Sequence, residues 1–360
     1  MTALVLGANG FIGRWLTLHL LTREDTAAPV TAAVRGEDTA LRAWLRDHGA
    51  DDRALTTVRA DVSRPDLGLS PADHEHLSAA TRDVYNLAAL YRFGLTRAEA
   101  AAVNADGAAH TVRWAAGLPR LRRLVHLSGY RVGLAPSTAY PLPDADERYR
   151  TEGAYEASKR EGDAAVRVLA PRLGVPVTVV NPAVVIGHSV TGECEQFLGL
   201  APLVEQLHEG RLPALAGSRR TFVPVVAVDH LAAFLAAVPE HDIEPLQLHT
   251  VLDPATPPLP ELVGTVARHL GVRAPRLTVP LALVRLLPER LTGVDREALS
   301  FLSEDRYDTA SAERLEAAAG LAHPPVDELL GRWAARLVAD RSTVRDRPAR
   351  SAPRAATTGQ

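Results

Sequence analysis

Short apolar runs alternate with longer segments of helical character along the first half of the chain. The runs are nearly continuous in valine, leucine and isoleucine, which is typical of strands buried on both faces of a sheet. Residues 12–22 follow the first run with the spacing of an amphipathic helix. This alternation predicts an α/β fold with a doubly wound parallel sheet of the Rossmann type. The predicted strands are residues 3–8, 29–35, 55–62, 83–90, 123–129 and 175–187.

The pattern changes beyond residue 186. A strand-like stretch at 220–238 and an isolated strand-like run at 246–251 lie among proline-rich turns and helices. We therefore predict a second, smaller and mostly helical domain that contacts substrate and is interleaved in sequence with the end of the first. The predicted division is 1–186 with 220–252 for the dinucleotide-binding domain, 187–219 with 253–338 for the substrate region, and 341–360 for a polar, disordered tail.

Composition excludes several classes of partner. The chain is 46% hydrophobic and 23% charged with a net charge of -3, so neither nucleic acid nor an anionic membrane surface is an implied partner. No apolar stretch is long enough to span a membrane and no signal peptide precedes the first strand, so we expect a cytoplasmic protein without membrane insertion. The single cysteine, Cys194, excludes an internal disulfide and is interpreted as a small apolar core residue.

Three glycines lie between the first predicted strand and the first predicted helix. Gly7, Gly10 and Gly13 have the spacing G-x-x-G-x-x-G. A pyrophosphate site needs a tight turn, close approach of the backbone to the pyrophosphate, and a helix N-terminus that presents N–H groups to the anion. A strand, a glycine loop and a helix in this order provide all three. The motif predicts a dinucleotide site, with incidental glycines at a helix entry as the alternative.

The ends of the second and third strands carry candidate adenosine contacts. Arg35 ends the second strand, where a guanidinium suits the 2′-phosphate of NADP. We therefore favour NADP(H) over NAD(H), although a solvated surface arginine is the alternative. Asp61 and Val62 end the third strand and are placed to flank the adenine. Asp61 could instead cap a turn.

The only lysine of the chain, Lys159, follows Tyr155 by four residues. On a helix the two side chains share a face. A neighbouring ammonium favours the phenolate and is expected to lower the tyrosine pKa by about 1–3, toward neutral pH where proton transfer is most useful. Ser128, at the end of the fifth strand, is the candidate third member that holds a substrate oxygen. A surface tyrosine–lysine contact is the alternative.

These residues, with "NLAA" at 86–89, Asn104 and "NPAVVIG" at 181–187, occur in the order seen in extended short-chain dehydrogenases/reductases. Residues 2–335 resemble that superfamily. The stretches "VIGHSVTGE" and "FVPVVAVDHLA" are most similar to the thioester-reductase and fatty-acyl-reductase branch.

The resemblance implies a role for each matching residue. Ser128, Tyr155 and Lys159 would be catalytic, Lys159 would also hold the nicotinamide ribose, and Asn104 would support Lys159 through water. The implied cofactor-binding residues are Gly7, Asn9, Gly10, Phe11, Ile12, Gly13, Arg35, Asp61, Val62, Asn86, Ala88, Ala89, Asn104, Lys159, Pro182 and Val184.

Four further side chains are candidates for the substrate wall. They are Tyr91, Phe93, Tyr130 and His188, the last because it follows the sixth strand. The "DHEH" run at 73–76 could ligate a metal, but its spacing is not helical and no partner cluster accompanies it. We interpret it as a solvated loop and predict no metal site.

These observations predict an NADP(H)-dependent oxidoreductase. Hydride transfer with Tyr155 as general acid would reduce a ketone, aldehyde or thioester of a specialised or lipid metabolite, and the carbonyl substrate could be thioester-bound. The resemblance implies transfer of the pro-S hydride, and a homodimer is possible. The alternatives are an NAD-dependent nucleotide-sugar epimerase or dehydratase and a non-catalytic NADP sensor.

Overall fold

The computed structural model describes residues 2–23, 29–92, 94–133, 137–197, 199–284, 286, 299 and 301–345. Its strands are β1 Thr2–Leu6, β2 Val30–Val34, β3 Leu55–Arg59, β4 Thr81–Asn86, β5 Arg123–Leu127, β6 Val177–Pro182, β7 Val184–Ile186, β8 Leu215–Ala216, β9 Val225–Ala227, β10 Leu246–Val251 and β11 Thr278–Val279.

The helices alternate with these strands over the first half of the chain. They are α1 Phe11–Thr22, α2 Thr39–Asp47, α3 Pro71–Ala80, α4 Arg97–Ala100, α5 Gly107–Ala116, α6 Tyr130–Gly133, α7 Ala145–Thr151, α8 Ala154–Arg172, α9 Ala201–His208, α10 Val228–His241, α11 Leu259–Leu270, α12 Leu281–Val284, α13 Ala310–Ala319 and α14 Val326–Arg345, with a π-helix at Ala101–Asp106 and 3₁₀ turns at Asp52–Ala54 and Pro65–Gly68.

Seven strands form one parallel sheet in the order β10-β6-β5-β4-β1-β2-β3. This order confirms the predicted doubly wound α/β fold. Alternate residues of β1 face opposite cores: Val5 packs with α1 and α10, and Leu4 packs with α3, α5 and α8. The predicted strands end early, for example β4 at Asn86 rather than at residue 90, because the residues beyond them form loops at the carboxyl edge of the sheet.

The predicted strand at 175–187 is two strands that belong to different sheets. Pro182 ends β6, Ala183 still donates to Val251, and Val184 donates to Pro224 instead. β7 then pairs with β9 in a separate two-stranded sheet. The continuous apolar run concealed this change of partner because both strands are buried.

The strand-like stretch at 220–238 is mostly helix. Only Val225–Ala227 is strand, and α10 begins at Val228. Helix α10 packs against both α1 and α13 and is buried along nearly its whole length. Its residues 231–239 are all apolar, and a segment that is apolar on all sides has no periodicity to distinguish a helix from a strand.

The predicted loop at 73–76 lies in helix α3. Ser70 caps this helix by accepting a hydrogen bond from the Asp73 amide, and Pro71 occupies the first helical position. Both are helix-start signals. At the other end of the chain, residues 341–345, predicted to be disordered, belong to α14, and 346–360 lie outside the described residues.

A separate hydrophobic cluster forms around α9, α11 and α14, together with β7 and β9. Trp333 of α14 and Leu262 of α11 are fully buried in it. The predicted boundaries of two domains stay predictions. Within the described ranges, no helix combines the length and the apolar character that crossing a bilayer requires.

Helix α8 packs closely on the π-helix through Gly162. A Cβ at this position would lie 2.1 Å from the backbone oxygen of Asn104, whereas a Cβ at Gly264, within α11, would meet nothing within 4 Å. We expect Gly162→Ala to lower the free energy of unfolding by roughly 1–3 kcal/mol, because backbone must move to accommodate the methyl group. Gly264→Ala, the control, is expected to stabilise by up to about 1 kcal/mol. Urea unfolding of both variants measures this, and equal stabilities would contradict the packing.

Candidate active site

A long cleft lies at the carboxyl edge of the sheet, where the strand order reverses between β1 and β4. It consists of two adjoining cavities of about 500 Å³ and about 410 Å³. Both are lined by Gly7, Gly10, Leu87 and Ala89, so they meet over the glycine loop. An elongated ligand can therefore occupy both cavities at once.

The glycine loop fits closely between β1 and the segment after β4. Gly7 has a φ of +82°, and a Cβ there would lie 2.8 Å from the Ala88 nitrogen. A Cβ at Gly13 would lie 2.1 Å from the Gly7 oxygen. Helix α1 begins at Phe11, and its N-cap residue Gly10 offers no side chain to cap the first amides. Those amides are available to an anion in the cleft.

The smaller cavity contains the predicted adenosine contacts. Asn9, Arg35, Asp61, Val62 and Ala88 all line it. Asp61 caps a turn, the alternative given above, since its Oδ1 accepts hydrogen bonds from the Ser63 amide at 3.0 Å and the Ser63 hydroxyl at 2.7 Å; its contact with adenine stays a prediction. These bonds are the main cause of a lowered Asp61 pKa.

The larger cavity contains the predicted catalytic residues. Ser128, Tyr155 and Lys159 line it together with Phe11, Ile12 and Gly13 of the glycine loop and with Pro182 and Val184. Lys159 Nζ donates a 2.8 Å hydrogen bond to the carbonyl oxygen of Leu127, which directly precedes Ser128. The Ser128 hydroxyl is buried and, within the part of the chain that the structure describes, has no hydrogen-bond partner.

Burial dominates the acid–base properties of this cavity. It raises the pKa of Tyr155 well above its usual value of 10, and Tyr91, Glu156 and Tyr130 raise it further. Burial also lowers the pKa of Lys159 to about 8. The predicted lowering of the Tyr155 pKa is therefore wrong for the protein without cofactor. Loss of water around the phenol determines the direction of the shift in the Tyr155 pKa. The Lys159 ammonium donates its hydrogen bond to the Leu127 carbonyl and not to Tyr155.

Of the four predicted substrate residues, two line the larger cavity, one does not, and one lies outside the described residues. Tyr91 and Tyr130 are on its wall, and the rings of Tyr91 and Tyr155 lie 4.9 Å apart. The His188 ring instead stacks on Trp15 at 4.5 Å. His188 does not line either cavity, and β7, which precedes it, pairs with β9 outside the main sheet. Phe93 lies outside the described residues.

Two predicted cofactor residues do not line either cavity. The Asn86 amide is buried and lies 3.2 Å from His126 Nδ1. Asn104 Oδ1 accepts from the Leu90 amide at 2.8 Å, and its Nδ2 donates to Ser158 Oγ at 2.9 Å. Asn104 thus ties the loop after β4 to helix α8, and its water-mediated support of Lys159 stays a prediction.

A charged pair on the cavity wall was missed by the sequence analysis. Arg131 Nε lies 3.7 Å from a carboxylate oxygen of buried Glu156, and the guanidinium lies 5.3 Å from the centre of the Phe301 ring. Both charged residues line the larger cavity. Burial raises the pKa of Glu156. The sequence signal for this pair was its nearness to predicted catalytic residues: Glu156 adjoins Tyr155, and Arg131 follows Ser128 by three residues.

The chain is similar in sequence to parts of large biosynthetic enzymes. It is 28% identical over 268 residues to a carboxylic acid reductase of Segniliparus rugosus, covering 64% of this chain and 22% of that protein. It is 28% identical over 275 residues to an isonitrile lipopeptide synthase of Streptomyces coeruleorubidus, covering 69% and 18%. The chain thus spans about a fifth of the length of these relatives.

The fold is similar to that of a solved reductase domain. The terminal R domain from the myxalamid PKS-NRPS biosynthetic pathway superposes with a TM-score of 0.74, covering 94% of this chain and 91% of that one at 22% identity. The model of the family described as "Male sterility protein" matches residues 5–235. The chain therefore belongs to this family, the thioester-reductase type of extended short-chain dehydrogenases/reductases, which are NAD(P)-dependent oxidoreductases.

Proposed function

We propose that this protein is an NADP(H)-dependent reductase of a carbonyl substrate, with Ser128, Tyr155 and Lys159 as its catalytic residues. The observation that carries the proposal is their position on one cavity wall that continues into the cleft over the glycine loop. The relative named as a carboxylic acid reductase supports a carbonyl at the carboxylic oxidation level, so a thioester-bound acyl group is the favoured substrate.

The cleft suits an extended dinucleotide. The uncapped start of α1 would bind the pyrophosphate, and Arg35, Asp61 and Val62 would surround the adenosine. The nicotinamide end would lie in the larger cavity between Lys159 and the Pro182–Val184 segment. The cofactor, when bound, supplies the hydride to the carbonyl carbon.

The side chains of the larger cavity complete the reduction. The unpartnered Ser128 hydroxyl would donate a hydrogen bond to the carbonyl oxygen. Tyr155, whose raised pKa keeps its proton in place at neutral pH, would donate that proton to the same oxygen as negative charge develops. With a thioester, the tetrahedral product would then lose the thiol and leave an aldehyde.

The proposed acid has a direct test. Tyr155→Phe removes one oxygen, and we expect NADPH oxidation to fall by about 10²–10⁴-fold with any accepted substrate, with unchanged NADPH affinity. Tyr149→Phe is the control, because Tyr149 bonds Glu161 and does not line the cavity. A panel of pantetheine thioesters, aldehydes and ketones supplies the substrates.

Two results would contradict the proposal. Wild-type-like turnover in Tyr155→Phe would exclude Tyr155 as the acid. Failure of the wild-type protein to oxidise NADPH with every member of the panel, despite binding it, would favour the NADP-sensor alternative.

The preference for NADP(H) rests on Arg35. Arg35 lines the smaller cavity, and a guanidinium forms charge-assisted hydrogen bonds with a 2′-phosphate. We expect Arg35→Ala to weaken NADPH binding by about 10–100-fold and to leave NADH binding unchanged, since hydrogen bonds to charged groups contribute about 1.5–3 kcal/mol.

Fluorescence titration at one fixed ionic strength measures these affinities. Arg46→Ala is the control, because Arg46 is an exposed arginine that pairs with Asp52 away from the cleft. Equal loss of NADPH and NADH affinity in Arg35→Ala would contradict the assignment.

A further inference from the structure

A cluster of metal-ligating side chains, two of them buried and one partly buried, lies outside the cleft. His230 is in the first turn of α10, Glu316 is in α13, and His323 lies in the connection between α13 and α14. His230 Nε2 is 2.9 Å and His323 Nε2 is 3.1 Å from the same oxygen, Glu316 Oε1. Their candidate ligand atoms all lie within 4.8 Å of one another. We infer that these three residues form a binding site for a divalent transition metal, with zinc the best match.

The ligand set and its spacing favour zinc. Two imidazoles and one carboxylate are ligands that zinc accepts, at bond lengths of about 2.0–2.1 Å. Tetrahedral geometry at that length separates ligand atoms by about 3.3 Å, close to the two contacts on Glu316 Oε1. The three donor atoms need only small movements to surround an ion.

Hydrogen bonding alone accounts poorly for His323. Its ring stacks on that of His230 with centroids 3.8 Å apart. Both ring nitrogens of His323 are buried: Nε2 has only the 3.1 Å contact with Glu316 Oε1, and Nδ1 has no hydrogen-bond partner among the residues that the structure describes. A buried polar nitrogen is costly unless it is well bonded, and a metal ion between His323 Nε2 and Glu316 Oε1 would replace their contact by a stronger interaction.

A candidate fourth ligand is Asp253, which follows β10; it is not one of the residues whose ligand atoms lie within 4.8 Å of one another, so its carboxylate would have to move to reach the ion. Its Oδ1 accepts from the Ala255 amide at 2.9 Å, but its Oδ2 is buried and has no hydrogen-bond partner among residues 2–345 as described. The charge of Asp253 interacts with His230, Glu316 and His323. Zinc with two carboxylates and two neutral imidazoles would be a net neutral group, which suits a buried position.

The site would be structural. None of its four residues lines either cavity of the cleft. The ion would connect α10, which packs on α1, to α13 and to the segment that leads into α14. Helix α14 belongs to the separate hydrophobic cluster around α9 and α11. A ligand bound only by the folded state stabilises it.

Metal binding to the whole chain tests this inference. Protein stripped with EDTA and dialysed is titrated with ZnCl₂ by calorimetry, and thermal unfolding is followed with and without one equivalent. We expect one zinc per chain, a higher melting temperature and, with Co²⁺ as the probe, the visible absorption bands of a four-coordinate site. His323→Gln and Glu316→Gln are each expected to weaken binding at least about 100-fold, more than changes outside the ligand shell do.

His208→Ala is the matched control, because His208 is an exposed histidine at the end of α9. NADPH affinity, measured on every variant, distinguishes lost metal binding from lost folding. No stoichiometric zinc uptake, or equal uptake by wild type and His323→Gln with normal NADPH affinity, would overturn the inference. Failure of the reductase proposal would leave the zinc result unaffected, since the assay contains no substrate.

Discussion

One buried hydrogen bond determines the geometry of the proposed active site. Lys159 Nζ donates to the carbonyl of Leu127 and so fixes helix α8 to the carboxyl end of β5. Ser128 is the next residue of the chain after Leu127, and Tyr155 lies one turn before Lys159 on the helix. This single hydrogen bond therefore places Ser128 and Tyr155 on the same wall of the larger cavity. It also accounts for a lone lysine among many arginines, because a buried lysine can change its protonation state whereas a guanidinium remains charged.

Exclusion of water gives this wall its chemistry. Burial raises the pKa of Tyr155, so the phenol keeps its proton, and lowers the pKa of Lys159, so the ammonium loses its proton more readily. The first effect suits an acid that acts in the direction of carbonyl reduction. The second means that an anionic ligand entering the cleft favours the charged form of Lys159, so cofactor binding and the acid–base state of the cavity are coupled.

Local signals in the sequence predicted the sheet, the glycine loop and the shared helical face of Tyr155 and Lys159. These depend on short-range geometry, such as the positive φ of Gly7. Features that depend on distant packing were missed. The direction of the shift in the Tyr155 pKa follows from burial, residues 231–239 of α10 are all apolar and so show no helical periodicity, and His230 and Glu316 are 86 positions apart in sequence. Location in the cytoplasm and a homodimer stay predictions.

The affinity for NADPH as a function of pH tests the central role of Lys159 most directly. With a pKa of about 8 in the free protein, Lys159 is charged below that pH and neutral above it. We predict that titrations between about pH 7.5 and about pH 9.5, where phosphate and histidine have largely finished titrating, show NADPH binding that weakens as the pH rises through 8. Lys159→Met should bind weakly with no such dependence. An identical pH profile in wild type and Lys159→Met would contradict the account.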